Sequence, residues 1–233
     1  MAEARPVCVI VGVGPGNGAA FARRFAATHA VALLARTTQF SAELAATLPQ
    51  ARAWACDVGD AASVATAFAE IRAAFGDPTV VVYNAGSGKF ATFDDTTAAD
   101  LEAAWRVNTL GAFHVAKEVV PAMKAHGGSF VVIGATASRR GGPRSCAFSS
   151  AKVGQRALAE SMARSLWPQG VHVSLIVIDG VVDLPRTRAM MKDKPAEFFV
   201  APDGVAETAW FLAHQPRSAW SFEVEARPFG ETW

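Results

Sequence analysis

The sequence predicts an α/β fold: one doubly wound domain, with a seven-stranded, mostly parallel sheet and helices on both faces. Three observations carry this. Short apolar runs rich in β-branched residues alternate with amphipathic stretches along the whole chain, the pattern of right-handed strand–helix–strand crossovers. The runs are apolar without alternation, as in strands buried on both faces. A glycine-rich loop follows the first run directly.

In chain order, "VCVIV" (7–11) reads as the first strand, followed by an amphipathic helix with Phe21 and Phe25 four apart. "AVALLA" (30–35) is the second strand and "ARAWAC" (51–56) a shorter third. Val64, Phe68, Ile71 and Phe75 form one helical stripe over 61–75. "TVVVY" (79–83) is the fourth strand, ending in the only tyrosine of the chain, Tyr83, which reads as core packing. Residues 98–125 read as one long helix, "SFVVIG" (129–134) as the fifth strand, 147–166 as a helix and "VHVSLIVI" (171–178) as the sixth strand. An irregular segment containing Pro185, Met190, Met191 and Pro195 comes next. A helix near 203–214 and a strand near "SFEVEA" close the pattern.

No linker, repeat or low-complexity segment divides the 233 residues, so the chain reads as a single domain over 1–233. Its apolar share of 51% is enough for a large core. The formal charge of +1, with no block of like charges, argues against nucleic acid or an anionic membrane as the main partner. Cys8, Cys56 and Cys146 are odd in number and widely spaced, which fits neither a disulfide framework nor a metal site. With no signal-peptide pattern and no apolar run of about 18 residues, the expected location is cytoplasmic and the expected partner a small molecule.

The loop "VGVGPGNG" sits where a strand feeds a helix. Gly12, Gly16 and Gly18 give GxxxGxG, with Asn17 between the last two; Gly14, Gly16 and Ala19 give GxGxxA. The first glycine after the strand is Gly12, which favours the former. Either register permits close backbone approach to a pyrophosphate at a helix N-terminus, the device of a Rossmann NAD(P)-binding domain. The second strand ends at Arg36, where a carboxylate would grip ribose hydroxyls and an arginine suits a ribose phosphate. NADP(H) is therefore the preferred cofactor and NAD(H) the alternative, with Thr37 and Thr38 as auxiliary donors. In "SCAFSSAK", Lys152 lies one helical turn after Phe148. An ammonium one turn from a tyrosine would lower the phenol's pKa from about 10; this ring has no hydroxyl.

With these pieces in order, the chain resembles the short-chain dehydrogenase/reductase family over nearly its whole length. "VGVGPGNG" resembles the family's glycine loop, and "CDV" (56–58) its adenine pair, implying Asp57 and Val58. "YNAGSG" (83–88) implies Asn84, Ala85 and Gly86, and "RVNTLGAF" implies Asn108 as the helix asparagine. "AFSSAK" resembles YxxxK, and "IDGVVD" (178–183) the Pro-Gly turn, implying Gly180 and Val182 beside the nicotinamide. The resemblance also implies that Lys152 holds the hydroxyls of the nicotinamide ribose. As a late helical lysine, it is expected to carry little core packing. The family's habit implies a homodimer or homotetramer through helices 98–125 and 147–166, and a mobile substrate lid near 184–200.

The departures define the chemistry. Val11 stands for the loop threonine, Asp179 for the turn proline, Phe148 for the catalytic tyrosine and Ala135 for the catalytic serine, a pattern similar to a minor subgroup with phenylalanine for tyrosine. Loss of a general acid costs about 10²–10⁴ in rate, and loss of an oxyanion donor about 10²–10³. Lys152, Asn108, Phe148, Thr136 and Asp179 are the candidate catalytic positions, with Ser138, Cys146 and Asp183 nearby. Three readings stay open. One is an NADP(H)-dependent oxidoreductase acting on a small hydrophobic carbonyl, alcohol or imine compound. The others are a dinucleotide-binding sensor, and a non-redox lyase or isomerase using the cofactor structurally.

Overall fold

The computed structural model describes residues 5–230; residues 1–4 and 231–233 of the single-domain reading lie outside the described residues. The elements run β1 (Val7–Val11), α1 (Asn17–Ala26), β2 (Ala30–Ala35), α2 (Gln39–Ala45), β3 (Ala51–Ala55), α3 (Ala61–Phe75) and β4 (Pro78–Tyr83). They continue with α4 (Ala98–Trp105), α5 (Gly111–His126), β5 (Gly128–Ile133), α6 (Cys146–Leu166) and β6 (Val171–Ile178). The chain then passes through β7 (Val181–Val182), α7 (Pro185–Met190), β8 (Phe199–Val200), α8 (Pro202–Ala213) and β9 (Glu223–Ala226).

Seven strands form one sheet in the order β3-β2-β1-β4-β5-β6-β9, and every pairing in it is parallel. The chain winds outward from β1 to β3, then returns to β4 on the other side of β1. The switch between β1 and β4 opens a crevice at their carboxyl ends, where ligands bind in doubly wound sheets. β1 shows why continuous apolar runs were needed. Val7, Val9 and Val11 join the core beneath α3, α5 and α6, while Cys8 and Ile10 join the core beneath α1, α2 and α8.

Local chemistry sets the helix ends. The Asp60 carboxylate caps α3 by accepting from the Ala62 N–H at 2.9 Å, and Gly76 ends it at φ +94°. Thr97 and Asp100 form a reciprocal capping box on α4.

The single helix expected over 98–125 is interrupted. Between α4 and α5, residues Arg106–Leu110 form a π-helical turn. Asn108 Nδ2 donates to its own helix at Ala104 O (2.7 Å) and across to Ser87 O (2.6 Å). The Tyr83 hydroxyl donates to Val107 O at 2.5 Å. Side chains thus satisfy carbonyls that an α-helical ladder would have used, and the turn widens around them. Tyr83 packs in the core, as expected of it, and also pins this turn.

The irregular segment after β6 contains α7 and a two-stranded parallel ladder, β7 with β8. No helix among the described residues is long and apolar enough to cross a membrane.

Replacing Tyr83 with Phe keeps the packing and leaves the Val107 carbonyl without its partner. We predict a loss on the order of 1–3 kcal/mol in urea unfolding, with an unchanged denaturant slope. An unchanged midpoint would show that the hydroxyl does not hold the turn.

Candidate functional site

The crevice begins where β1 ends. Asn84 ties β4 to it, its N–H donating to Val11 O at 2.8 Å and its Nδ2 to Gly12 O at 2.7 Å. This close approach requires Gly12, which sits at φ +90° and whose added Cβ would lie 2.5 Å from Ala85 N. Gly18 brings the start of α1 against the same turn, with a Cβ position 2.8 Å from Gly12 O. No side-chain cap and no acidic residue occupies the first turn of α1, so its amides and positive dipole end face the crevice.

The cleft holds about 770 Å³. Gly12, Gly16, Asn17, Gly18, Arg36, Asp57, Val58, Asn84, Ala85, Gly86 and Val182 all line it. Arg36 is exposed and makes no ion pair among the described residues. Asp57 is fixed by accepting from the Gly59 N–H at 2.9 Å. Leu184, Pro185 and Arg186, at the start of the segment expected as the substrate lid, form a wall of the cleft; the Leu184 side chain lies directly against the face of Gly16.

Under Gly86 lies a buried polar chain. Lys152, only 4% exposed, donates to Ile133 O and to Gln155 Oε1, each at 2.9 Å. Gln155 Nε2 in turn donates to the Asn108 backbone carbonyl at 2.8 Å. Lys152 is thus part of the core, contrary to the expectation of little packing: it reaches across from α6 to the end of β5. Burial lowers its pKa to about 7, and the two oxygen acceptors work against that shift. A Cβ on Gly86 would lie 3.3 Å from Asn108 Oδ1 and 3.6 Å from Lys152 Nζ. Among the described residues Asn108 Oδ1 is buried without a partner and Lys152 has no third acceptor. An orphaned acceptor and a donor therefore meet beneath a residue with no side chain, which suits a ligand carrying hydroxyls.

A second cavity of about 380 Å³ adjoins, lined by Ala135, Thr136, Phe148 and Gly180 among others. The Phe148 ring lies 5.8 Å from Lys152 Nζ and 5.3 Å from the Phe90 ring. Gly88 makes room for it, since a Cβ there would sit 2.7 Å from Phe148 Cβ. The Thr136 hydroxyl donates to Asp179 Oδ1 at 2.5 Å, so its hydrogen is directed away from the cavity. Asp179 is buried and held by Arg227 as well, and its N–H donates to Ala226 O at 2.9 Å. A proline there would have no such donor. Ser138 is buried and accepts from the Ala135 N–H at 3.1 Å. Asp183 is paired with Arg188 at 2.7 Å. Cys146 is half-buried at the start of α6.

A family model for short chain dehydrogenases matches residues 6–195. The chain belongs to that family. Among curated relatives of this short-chain dehydrogenase is D-threitol dehydrogenase of Mycolicibacterium smegmatis, 30% identical over 221 residues, covering 89% of this chain and 85% of the relative. Among solved structures, an alcohol dehydrogenase from the archaeon Thermococcus sibiricus, complexed with 5-hydroxy-NADP, aligns with a TM-score of 0.87 at 27% identity, covering 97% of this chain and 98% of that one. A metagenomic short-chain oxidoreductase in complex with NADP gives 0.82 at 27% identity, with the same coverage.

Gln155 is a site residue that the sequence reading missed. A polar residue three positions after Lys152, on the same helical face, was the available signal. Arg227, which anchors Asp179, carried none, because it lies 48 residues away.

The buried lysine yields a pH prediction. Its folded pKa of about 7 lies below the unfolded value of about 10.4, so between them the unfolded chain binds the extra proton and stability rises with pH. Wild type should gain on the order of 1 kcal/mol over Lys152→Met between pH 7.5 and 9. Unfolding curves that stay parallel across this range would show that Lys152 remains an ordinary ammonium.

Proposed function

We propose that this short-chain dehydrogenase is an NADP(H)-dependent oxidoreductase whose site works without a tyrosine hydroxyl, on a small hydrophobic carbonyl, alcohol or imine compound. The observation that carries the reading is Lys152, buried one turn from a ring with no hydroxyl and bonded into a chain with Gln155 and Asn108 beneath the cleft. A lysine kept only to tune a phenol would have no role here; a lysine that holds a ribose would.

The bound cofactor supplies the hydride donor or acceptor. The amides of α1 and Asn17 bind its pyrophosphate, Arg36 the ribose phosphate, and Asp57 and Val58 the adenine side. Lys152 and Asn108 Oδ1 orient the nicotinamide ribose from below Gly86. Gly180 and Val182 back the ring, Asn84, Ala85 and Gly86 floor the cleft, and the lid of residues 184–200 covers it and excludes water, with Leu184 already against Gly16. Neither Phe148 nor Ala135 can give a proton, and Thr136 gives its hydrogen to Asp179. Asp179, with both oxygens engaged, acts by positioning the turn. A substrate that accepts hydride without protonation, such as an iminium ion, meets this site best.

The missing hydroxyls equally favour a second reading, a dinucleotide-binding sensor without turnover. We place the protein in the cytoplasm as a homodimer or homotetramer formed through α4, α5 and α6, where Leu101, Trp105, Phe113 and Val153 are exposed.

Calorimetric titration with NADPH and NADH tests the cofactor assignment. Charge-assisted phosphate contacts predict tighter NADPH binding, and a loss of about tenfold or more in Arg36→Ala with little change for NADH. Equal affinities for the two would overturn the preference, and binding of neither would overturn the reading as a whole. Hydride transfer, followed as a change in nicotinamide absorbance, separates turnover from sensing.

A further inference from the structure

The second cavity has a divided wall. One side is apolar, formed by Phe148, Phe90, Ile178 and Val181. The Phe90 and Phe148 rings meet at 46°, and Phe90 remains 62% exposed. The other side is the loop from 139 to 145, which carries Arg140. Its neighbour Arg139 is fully engaged by Glu223, at 2.6 and 3.1 Å, and by Glu225. Arg140 is not. Its side chain is 66% exposed, and its one ion partner among the described residues is Asp179 at 3.5 Å, whose carboxylate already accepts from Thr136 and Arg227. Most of the guanidinium's five donors therefore stand unused at the mouth of an apolar cavity. Gly141 follows it and lines the same cavity, and packing does not demand that glycine: a Cβ there would meet nothing closer than Ser149 at 3.9 Å.

We propose that this cavity selects organic acids, with an apolar, ring-sized body against Phe148 and Phe90 and a carboxylate held by Arg140. This rests on reading the adjoining cleft as the dinucleotide site. A guanidinium fork matches a carboxylate in two parallel bonds. A monoanion fits better than a dianionic phosphate ester, because Asp179 stands directly behind Arg140, the one arginine that lines the cavity among the described residues. A cavity of about 380 Å³ lies at the small end of ligand sites, in keeping with one ring and its acid group. Arg140 sets specificity in this account and takes no part in the chemical step.

The test uses the full chain saturated with NADPH, titrated calorimetrically with benzoate, with neutral benzamide of the same shape, and with phenyl phosphate. Benzoate should bind about tenfold or more tighter than benzamide. Arg140→Gln should erase that difference, and Arg140→Lys should keep only part of it. Phe90→Ala should weaken both ligands alike. An unchanged NADPH affinity and melting temperature in Arg140→Gln confirm that the variant is folded. Equal binding of acid and amide, a preference for phenyl phosphate, failure of benzoate to bind, or a preference that survives Arg140→Gln each overturns the proposal. NADPH binding is measured first, and the ligand series is repeated on the chain alone, so failure of the cofactor reading is seen separately.

Discussion

The arrangement of the site depends on one buried amine. Lys152 has no carboxylate partner among the described residues, and its Nζ hydrogens go to oxygens drawn from two other places: the carbonyl that ends β5 and the amide of Gln155. Burying an amine without such acceptors is costly. Gln155 passes the constraint on to the Asn108 carbonyl and thereby fixes α6 against the π-helical turn. That turn is wide because Asn108 bonds back to Ala104 and across to Ser87, and because Tyr83 holds Val107. Three elements distant in sequence are thus locked together under Gly86, where the absence of a side chain leaves room for a ligand.

The other wall is built on a second constraint, the Asp179 turn. Its backbone N–H joins β9, and its carboxylate joins Thr136 and Arg227. Pro228 then packs against Gly180, whose added Cβ would lie 2.7 Å from Pro228 Cδ. The turn is held rigidly without a proline ring, and an acidic residue at this position does structural work. The two walls together put a buried donor and acceptor on one side, and on the other a Thr136 hydroxyl that is given to Asp179. That combination supports the proposed reading, in which the hydride acceptor needs no proton from the protein.

Much of this was legible in the sequence, for physical reasons that can be named. Strands buried on both faces must be apolar throughout, so "VCVIV" and "VHVSLIVI" announced themselves. Gly12 and Gly18 were legible because backbone contacts at 2.5–2.8 Å allow nothing larger. The π-helical turn was not, since one extra residue per turn barely disturbs an amphipathic pattern. Lys152 was expected to carry little core packing because helical spacing gives a residue's neighbours along its own helix but not the carbonyl of β5 it reaches. The freedom of Arg140 was also unreadable. It follows from the engagement of Arg139 by Glu223 and Glu225, more than eighty residues away.

A crystal structure of the protein with NADP⁺ tests the central claim most directly, through the distance from Lys152 Nζ to the nicotinamide ribose. The account predicts a ribose hydroxyl within about 3.2 Å of Nζ, with Ile133 O and Gln155 still bonded to the lysine and the Asn108 side-chain oxygen facing the same sugar. A dinucleotide whose ribose lies away from Gly86, with Lys152 still turned into the core, would contradict it.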